Sequence, residues 1–255
     1  MAVDLKNFYD QNGYVIIEKV FTDLEADTFN RHIRRHANTS FSALINPDRY
    51  NSLLEQDERP KSDLTLSEIE ETANLSRSIM TDKRMVDLLK RFHEKKTVAL
   101  SSQFIFKEAY SDYASQAWKP HQDNFYPKSK NAAYVTLNWF LKDADKQNGT
   151  IFCYPGSHKL GLLPAENNIS FREKVGDNPG SECKIPPELL DKKKDMIIPG
   201  NSIVILNGNC IHGSYPNNSN RSRPWFSSCY ITEGEEFIAG NSSKREVIDL
   251  ATGNS

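Results

Sequence analysis

The stretch TVALSSQFIFKEAY, residues 97–110, is where the chain changes its period. It is dense in β-branched and aromatic residues, the composition of a strand that packs on a core. Segments of the same kind follow: AAYVTLNWFL at 132–141, TIFCYP at 150–155, KDMIIPG at 194–200, NSIVILNG at 201–208 and PWFSSCYIT at 224–232. Turn residues separate them, as in QNGT, IPGN and LNGN, where Gly, Pro and Asn supply the backbone angles a strand refuses. Short strands punctuated in this way predict an antiparallel sandwich or barrel. The interval GLLPAENNISFREKVGDNPGSECKIPPELLDKKK at 161–194 is rich in charge, glycine and proline, and reads as a lid or substrate loop rather than a strand.

Upstream the pattern is a strand, then helices. GYVIIEKV at 13–20 is a short β-branched run, and FTDLEADTFNRHIRRH at 21–36 opens a helix. Thr22 stands three residues before Glu25, a capping box, and Leu24, Phe29 and Ile33 follow at helical spacing. Residues 38–62, with Asn-Pro and Arg-Pro steps, read as a long irregular loop. Helical spacing returns over 63–80 and 81–96, the second helix capped by Thr81 or Asp82. The expected layout is one domain over 1–255, with helical support mainly in 1–96, a β core from about 97 to 232 and a polar tail over 240–255.

Composition narrows the function. The 32 basic and 34 acidic residues are interspersed and leave a net charge of −2. No field of one sign is available to hold a phosphate backbone or an anionic membrane, so neither nucleic acid nor membrane is an expected partner. No apolar run approaches the roughly 20 residues that span a bilayer, and MAVDLKNFYDQNG lacks the apolar centre of a signal peptide. A cytoplasmic location is expected. Cys153, Cys183, Cys210 and Cys229 lack CxxC spacing, which argues against a zinc knuckle or a disulfide framework and for buried, reduced thiols.

The chemistry gathers in KPHQDNFYPK at 119–128. On a strand, His121 and Asp123 would project to one face and take two adjacent positions on a metal ion. A third ligand is needed, and among the remaining histidines His212, directly after the apolar SIVIL and an Asn-Gly turn, is the best candidate. His32 and His36 are four apart on a helix, but Ile33 stands where a zinc protease needs glutamate, so RHIRRH reads as a solvated basic face. Two histidines and a carboxylate form the facial set of non-haem Fe(II) oxygenases. Arg223, eleven residues beyond His212, presents a guanidinium fork suited to a carboxylate.

HQD at 121–123 and HGSYPNNSNRSR at 212–223 resemble the phytanoyl-CoA dioxygenase family of Fe(II)- and 2-oxoglutarate-dependent oxygenases. FYDQNGYVIIEKVFTDLEADTF and NGTIFCYPGSHKLG are similar to further segments of that family. The resemblance implies a mainly β fold with flanking helices, a double-stranded β-helix of the jelly-roll, cupin-like kind. It implies Fe(II) held by His121, Asp123 and His212, and 2-oxoglutarate clamped by Arg223 with help from Ser214. Trp139 and Gln103 match positions lining the cosubstrate pocket. With O2 as oxidant and ascorbate as a stimulant, the implied reaction releases succinate and CO2 and oxidises an unactivated C–H bond of a small-molecule metabolite. Asp123 stands where halogenating relatives carry a small residue, which favours hydroxylation. The rivals are a cupin-like isomerase or hydrolase working without 2-oxoglutarate, and a binding module that has lost turnover.

Overall fold

Asp4, Gly13 and Thr22 set the first elements of the chain, whose computed structural model describes residues 4–35, 44–45, 66–169, 180–239 and 245–250. The Asp4 side chain accepts from the backbone of Lys6 and Asn7 and caps α1 (Leu5–Asn12), and Gly13 ends it in the left-handed region at φ 80. This helix was not anticipated from the sequence, although an Asp before it and a Gly after it are its ordinary start and stop signals. Strand β1 (Tyr14–Glu18) and helix α2 (Asp23–Arg35) follow. The capping box is real: Thr22 N donates to the Glu25 carboxylate at 2.7 Å, and Glu25 N returns to Thr22 Oγ1 at 3.2 Å.

The remaining elements are β2 (Leu44–Ile45), α3 (Leu66–Met80), α4 (Lys83–Phe92), β3 (Thr97–Lys107), β4 (Trp118–His121), β5 (Tyr134–Phe140), β6 (Ile151–Cys153), β7 (Ala165–Ile169), β8 (Gly180–Cys183), β9 (Lys194–Asp195), β10 (Ser202–Asn207), β11 (His212–Ser214) and β12 (Arg223–Thr232). Asp82 caps α4. Ten of the described strands form two antiparallel sheets, one in the order β1-β10-β5-β12-β3-β2 and one in the order β4-β11-β6-β9, and β7 and β8 pair apart from them. One face of the larger sheet carries Phe104, Phe106, Leu137, Trp139 and Phe226 against Phe21, Phe29, Met85 and Leu89 of the helical region. Its other face sends Phe140, Val204 and Leu206 toward Ile151 and Cys153 of the smaller sheet. Each such side chain contributes about 1.5–3 kcal/mol by leaving water.

This is the cupin-type jelly roll with helices on one side. Among the described residues no ladder joins the two sheets, so the barrel stays open along its seam. The interval expected as a loop contains the β7–β8 hairpin, whose two weak strands pair with each other and lie against β4 through a Lys119–Glu182 ion pair at 2.9 Å. The tail read as polar puts Ile248 into the core, bridged to Ala99. The expected loop over 38–62 lies outside the described residues apart from Leu44 and Ile45, which pair with Ile105 and Phe104. All four cysteines are buried, and none forms a disulfide among the described residues. No described helix is long and apolar enough to cross a membrane.

Candidate metal centre

The centre forms where β11 runs between β4 and β6. His212 pairs in register with His121, so the two imidazoles stand side by side with ring centroids 4.4 Å apart. Asp123 does not share a strand with His121, as its two-residue spacing suggested. β4 ends at His121, and Asp123 opens a 3-10 turn, Asp123–Phe125, which swings its carboxylate toward the rings. Asp123 Oδ1 lies 3.6 Å from His121 Nε2 and 3.5 Å from His212 Nε2. One donor atom from each residue falls within 4.8 Å of the others, the one such group of His, Cys, Asp and Glu among the described residues.

Both imidazoles are held by their far nitrogens. His121 Nδ1 lies 2.7 Å from the Lys119 carbonyl, and His212 Nδ1 lies 3.0 Å from the Cys210 carbonyl. A carbonyl only accepts, so each Nδ1 carries a proton, and the nitrogen left to bind a metal on each ring is the Nε2 turned toward Asp123. Burial pushes the His212 imidazole below its ordinary value, against the pull of Asp123. Burial opposes the charge on Asp123, yet the two imidazoles and the Thr136 hydroxyl, 3.4 Å from Oδ2, outweigh it and hold the carboxyl down at about 2. An ionised carboxylate beside two imidazoles anchored through Nδ1 is a donor set that a divalent cation can use, displacing any proton on Nε2 as it binds. Asp123 keeps 24% of its side chain exposed against 8% and 9% for the histidines, so the carboxylate marks the open side.

Side chains between the candidates lock the backbone. Gln122 donates to the carbonyls of Gly161 and Asn209 at 2.8 and 2.7 Å and accepts from Leu163 N at 2.7 Å. Asn124 bonds the Ser129 carbonyl and the Asn209 side chain at 3.0 and 2.9 Å. Gly213 lets β11 close on its neighbours, because a Cβ there would come within 2.5 Å of both the Trp118 carbonyl and the Phe152 ring.

The other expected residues divide. Arg223 is fully buried at the start of β12, its guanidinium 4.1 Å from the Trp225 ring centre. Ser214 ends β11 and accepts a hydrogen bond of 2.9 Å from Lys107, the register partner of Arg223. Gln103 stands four residues before Lys107 on β3 and pairs with Ser227 in register, on the same face as Lys107. Trp139 is elsewhere. It stacks on Phe21 and Phe29 at 4.2 and 5.0 Å, and its indole N–H donates to Asn201 at 3.1 Å. Its face of β5 is that of Leu137 in the helix-side core, opposite Thr136 and Asn138, so its expected place on the cosubstrate pocket is corrected.

Lys107 escaped the sequence reading. Burial, and next the Arg223 guanidinium, push its ammonium well below the usual lysine range. Strand alternation carried a signal, because Lys107 shares the parity of Gln103. The remaining described histidines are structural: His158 Nε2 donates to the Asp10 carbonyl at 3.1 Å, His93 meets Thr232 Oγ1 at 2.8 Å, and His32 lies 3.5 Å from Glu71. His36 falls outside the described residues.

The sequence model of the family described as phytanoyl-CoA dioxygenase (PhyH) matches residues 9–225. A phytanoyl-CoA dioxygenase 1 of Oryza sativa subsp. japonica is 30% identical over 156 residues, 60% of this chain and 52% of that one. A probable alpha-ketoglutarate-dependent hypophosphite dioxygenase of Stutzerimonas stutzeri is 30% identical over 145 residues, 56% of this chain and 48% of that one. The chain thus spans about half the length of these two relatives. The fold is similar to that of the epimerase SnoN, solved with Fe3+, alpha ketoglutarate and nogalamycin RO, at a TM-score of 0.65 and 17% identity over 91% of this chain and 84% of that one.

Proposed function

The chain belongs to the phytanoyl-CoA dioxygenase family, and on that footing we propose that it is an Fe(II)- and 2-oxoglutarate-dependent dioxygenase that hydroxylates a small-molecule metabolite and releases succinate and CO2. The observation that carries the reading is the meeting of His121, Asp123 and His212 from two distant segments, each imidazole held in the ligating tautomer. The donor set fits the metal, since two neutral imidazoles and one hard carboxylate suit Fe(II). Bound iron, with 2-oxoglutarate as the source of two electrons, supplies the dioxygen chemistry.

The protein's own part is positional. His121 and His212 offer their Nε2 lone pairs. Asp123 contributes one negative charge on the solvent-facing side, and Thr136 fixes its second oxygen. Arg223 would receive the far carboxylate of 2-oxoglutarate, Ser214 would add a hydroxyl to the same group, and Gln103 would line the pocket beside them. Asp123 leaves no ligand position for a halide, which favours hydroxylation over halogenation. Residues 156–169, anchored near the centre where Gln122 bonds Gly161 and Leu163, shield it from water.

The test is a screen of small metabolites for substrate-stimulated succinate formation with Fe(II), ascorbate and 2-oxoglutarate, followed by product analysis under labelled dioxygen. The expected result is succinate matched to product, with one labelled oxygen in the product. Turnover without succinate would replace this reading with a cupin-like isomerase or hydrolase. Binding of metal and 2-oxoglutarate without uptake of oxygen for any substrate would leave a binding module.

A further inference from the structure

Among the described residues Lys107 is the one buried lysine and Arg223 the one buried arginine, and they are register partners across β3 and β12. The Lys107 ammonium donates to the Ser214 hydroxyl at 2.9 Å and to the Tyr215 carbonyl, both neutral. Among the described residues no carboxylate acts on it, and its charged neighbour is the like charge of Arg223. A buried ammonium beside another cation is costly for a fold to keep, and a chain with no use for it would carry an apolar residue there.

The slot is nevertheless built around it. Gly149 stands at φ +88, and a Cβ there would come 2.8 Å from the Tyr215 carbonyl and 3.0 Å from Lys107 Cδ. The side chain of Asn217 donates to the Lys107 carbonyl at 2.8 Å and fixes the end of β3. Ser214 accepts from Lys107, so its own hydroxyl proton is left to donate onward. It lies two residues beyond His212, a step of roughly 6.5 Å along a strand, comparable with the length of a five-carbon diacid.

We propose that Lys107 is a second cation of the cosubstrate site, binding with Arg223 the carboxylate of 2-oxoglutarate that lies farther from the metal, directly and through the Ser214 hydroxyl. The inference rests on the 2-oxoglutarate reading above and adds to it. Lys107 becomes the residue that sets the preference for a dicarboxylate over a 2-oxo acid of the same length with an apolar end.

The test uses calorimetric binding of 2-oxoglutarate and of 2-oxopentanoate to the whole protein loaded with Mn(II), in the wild type, Lys107→Met and Lys107→Gln. Loss of a charge-assisted partner predicts that both variants bind 2-oxoglutarate at least about tenfold more weakly. Their preference over 2-oxopentanoate should shrink by the same factor. Mn(II) affinity should hold, and the melting temperature without ligand should stay level or rise, because a buried charge has gone. Wild-type affinity for 2-oxoglutarate in either variant overturns the proposal, as does a lowered melting temperature with unchanged preference, which marks a purely structural lysine. Should wild-type protein itself bind Mn(II) but not 2-oxoglutarate, the cosubstrate reading fails and takes this one with it. Should the wild type bind and the variants match it, only Lys107 loses its role.

Discussion

The three candidate ligands stand on some of the shortest elements of the chain, a four-residue β4, a three-residue β11 and a 3-10 turn, whereas Lys107 and Arg223 stand on its two longest strands, of 11 and 10 residues. A three-residue strand has too few ladder bonds to hold a side chain in place. The histidines are therefore fixed by Nδ1–H bonds to carbonyls, by Gln122 and Asn124 on either side of Asp123, and by the close approach that Gly213 permits. The cations owe their place chiefly to the register of β3 on β12, which sets them side by side, with Gly149 and Asn217 shaping the slot at the strand end. One end should thus be sensitive to backbone disturbance, and the other chiefly to loss of charge.

The largest effect is expected at the ligand end. Asp123→Ala removes the charged donor and should reduce Fe(II)-dependent succinate formation to background, with Mn(II) binding lost in parallel; wild-type rates would remove the metal centre from the account. At the cation end Arg223→Ala should act on binding rather than chemistry. A rise in the KM for 2-oxoglutarate of about tenfold to a hundredfold is expected, with a smaller change in kcat. An equal fall in kcat would instead tie this end to the metal.

Gly213→Ala tests the scaffold claim directly. Its Cβ would force β11 from Trp118 and Phe152, costing about 1–3 kcal/mol in thermal unfolding, and it should weaken Mn(II) binding although no ligand is touched. Trp139→Phe is the control outside both ends. It loses the Asn201 bond and part of a stack, so about 1–2 kcal/mol of stability should go, with the KM for 2-oxoglutarate unchanged. The smallest effect is expected for Thr136→Val, which removes one long hydrogen bond to Asp123 and should weaken Mn(II) binding by about threefold to tenfold.

Much of this was legible beforehand. The change of period at Thr97, the capping box at Thr22 and Glu25 and the cap at Asp82 are local patterns with counterparts in the fold, and the three residues singled out as candidate ligands, His121, Asp123 and His212, do come together. The Trp139 placement went astray although the sequence held the answer: Trp139 alternates with Thr136 and Asn138 and keeps step with Leu137, so strand parity already set it with the core. Helix α1 likewise had its Asp and Gly signals.

What the sequence by itself determined was element type and turn chemistry, because these follow from propensity and spacing within a few residues of one another; the HQD pair and the later histidine were legible only as candidates. Only the tertiary structure decided that β4 ends at His121 so that Asp123 can turn back, and that Lys107 lies beside Arg223 beneath Ser214. Those facts depend on which strands become neighbours. Pairing between segments a hundred residues apart is chosen by the burial of the whole core and leaves no mark in the local pattern of either strand.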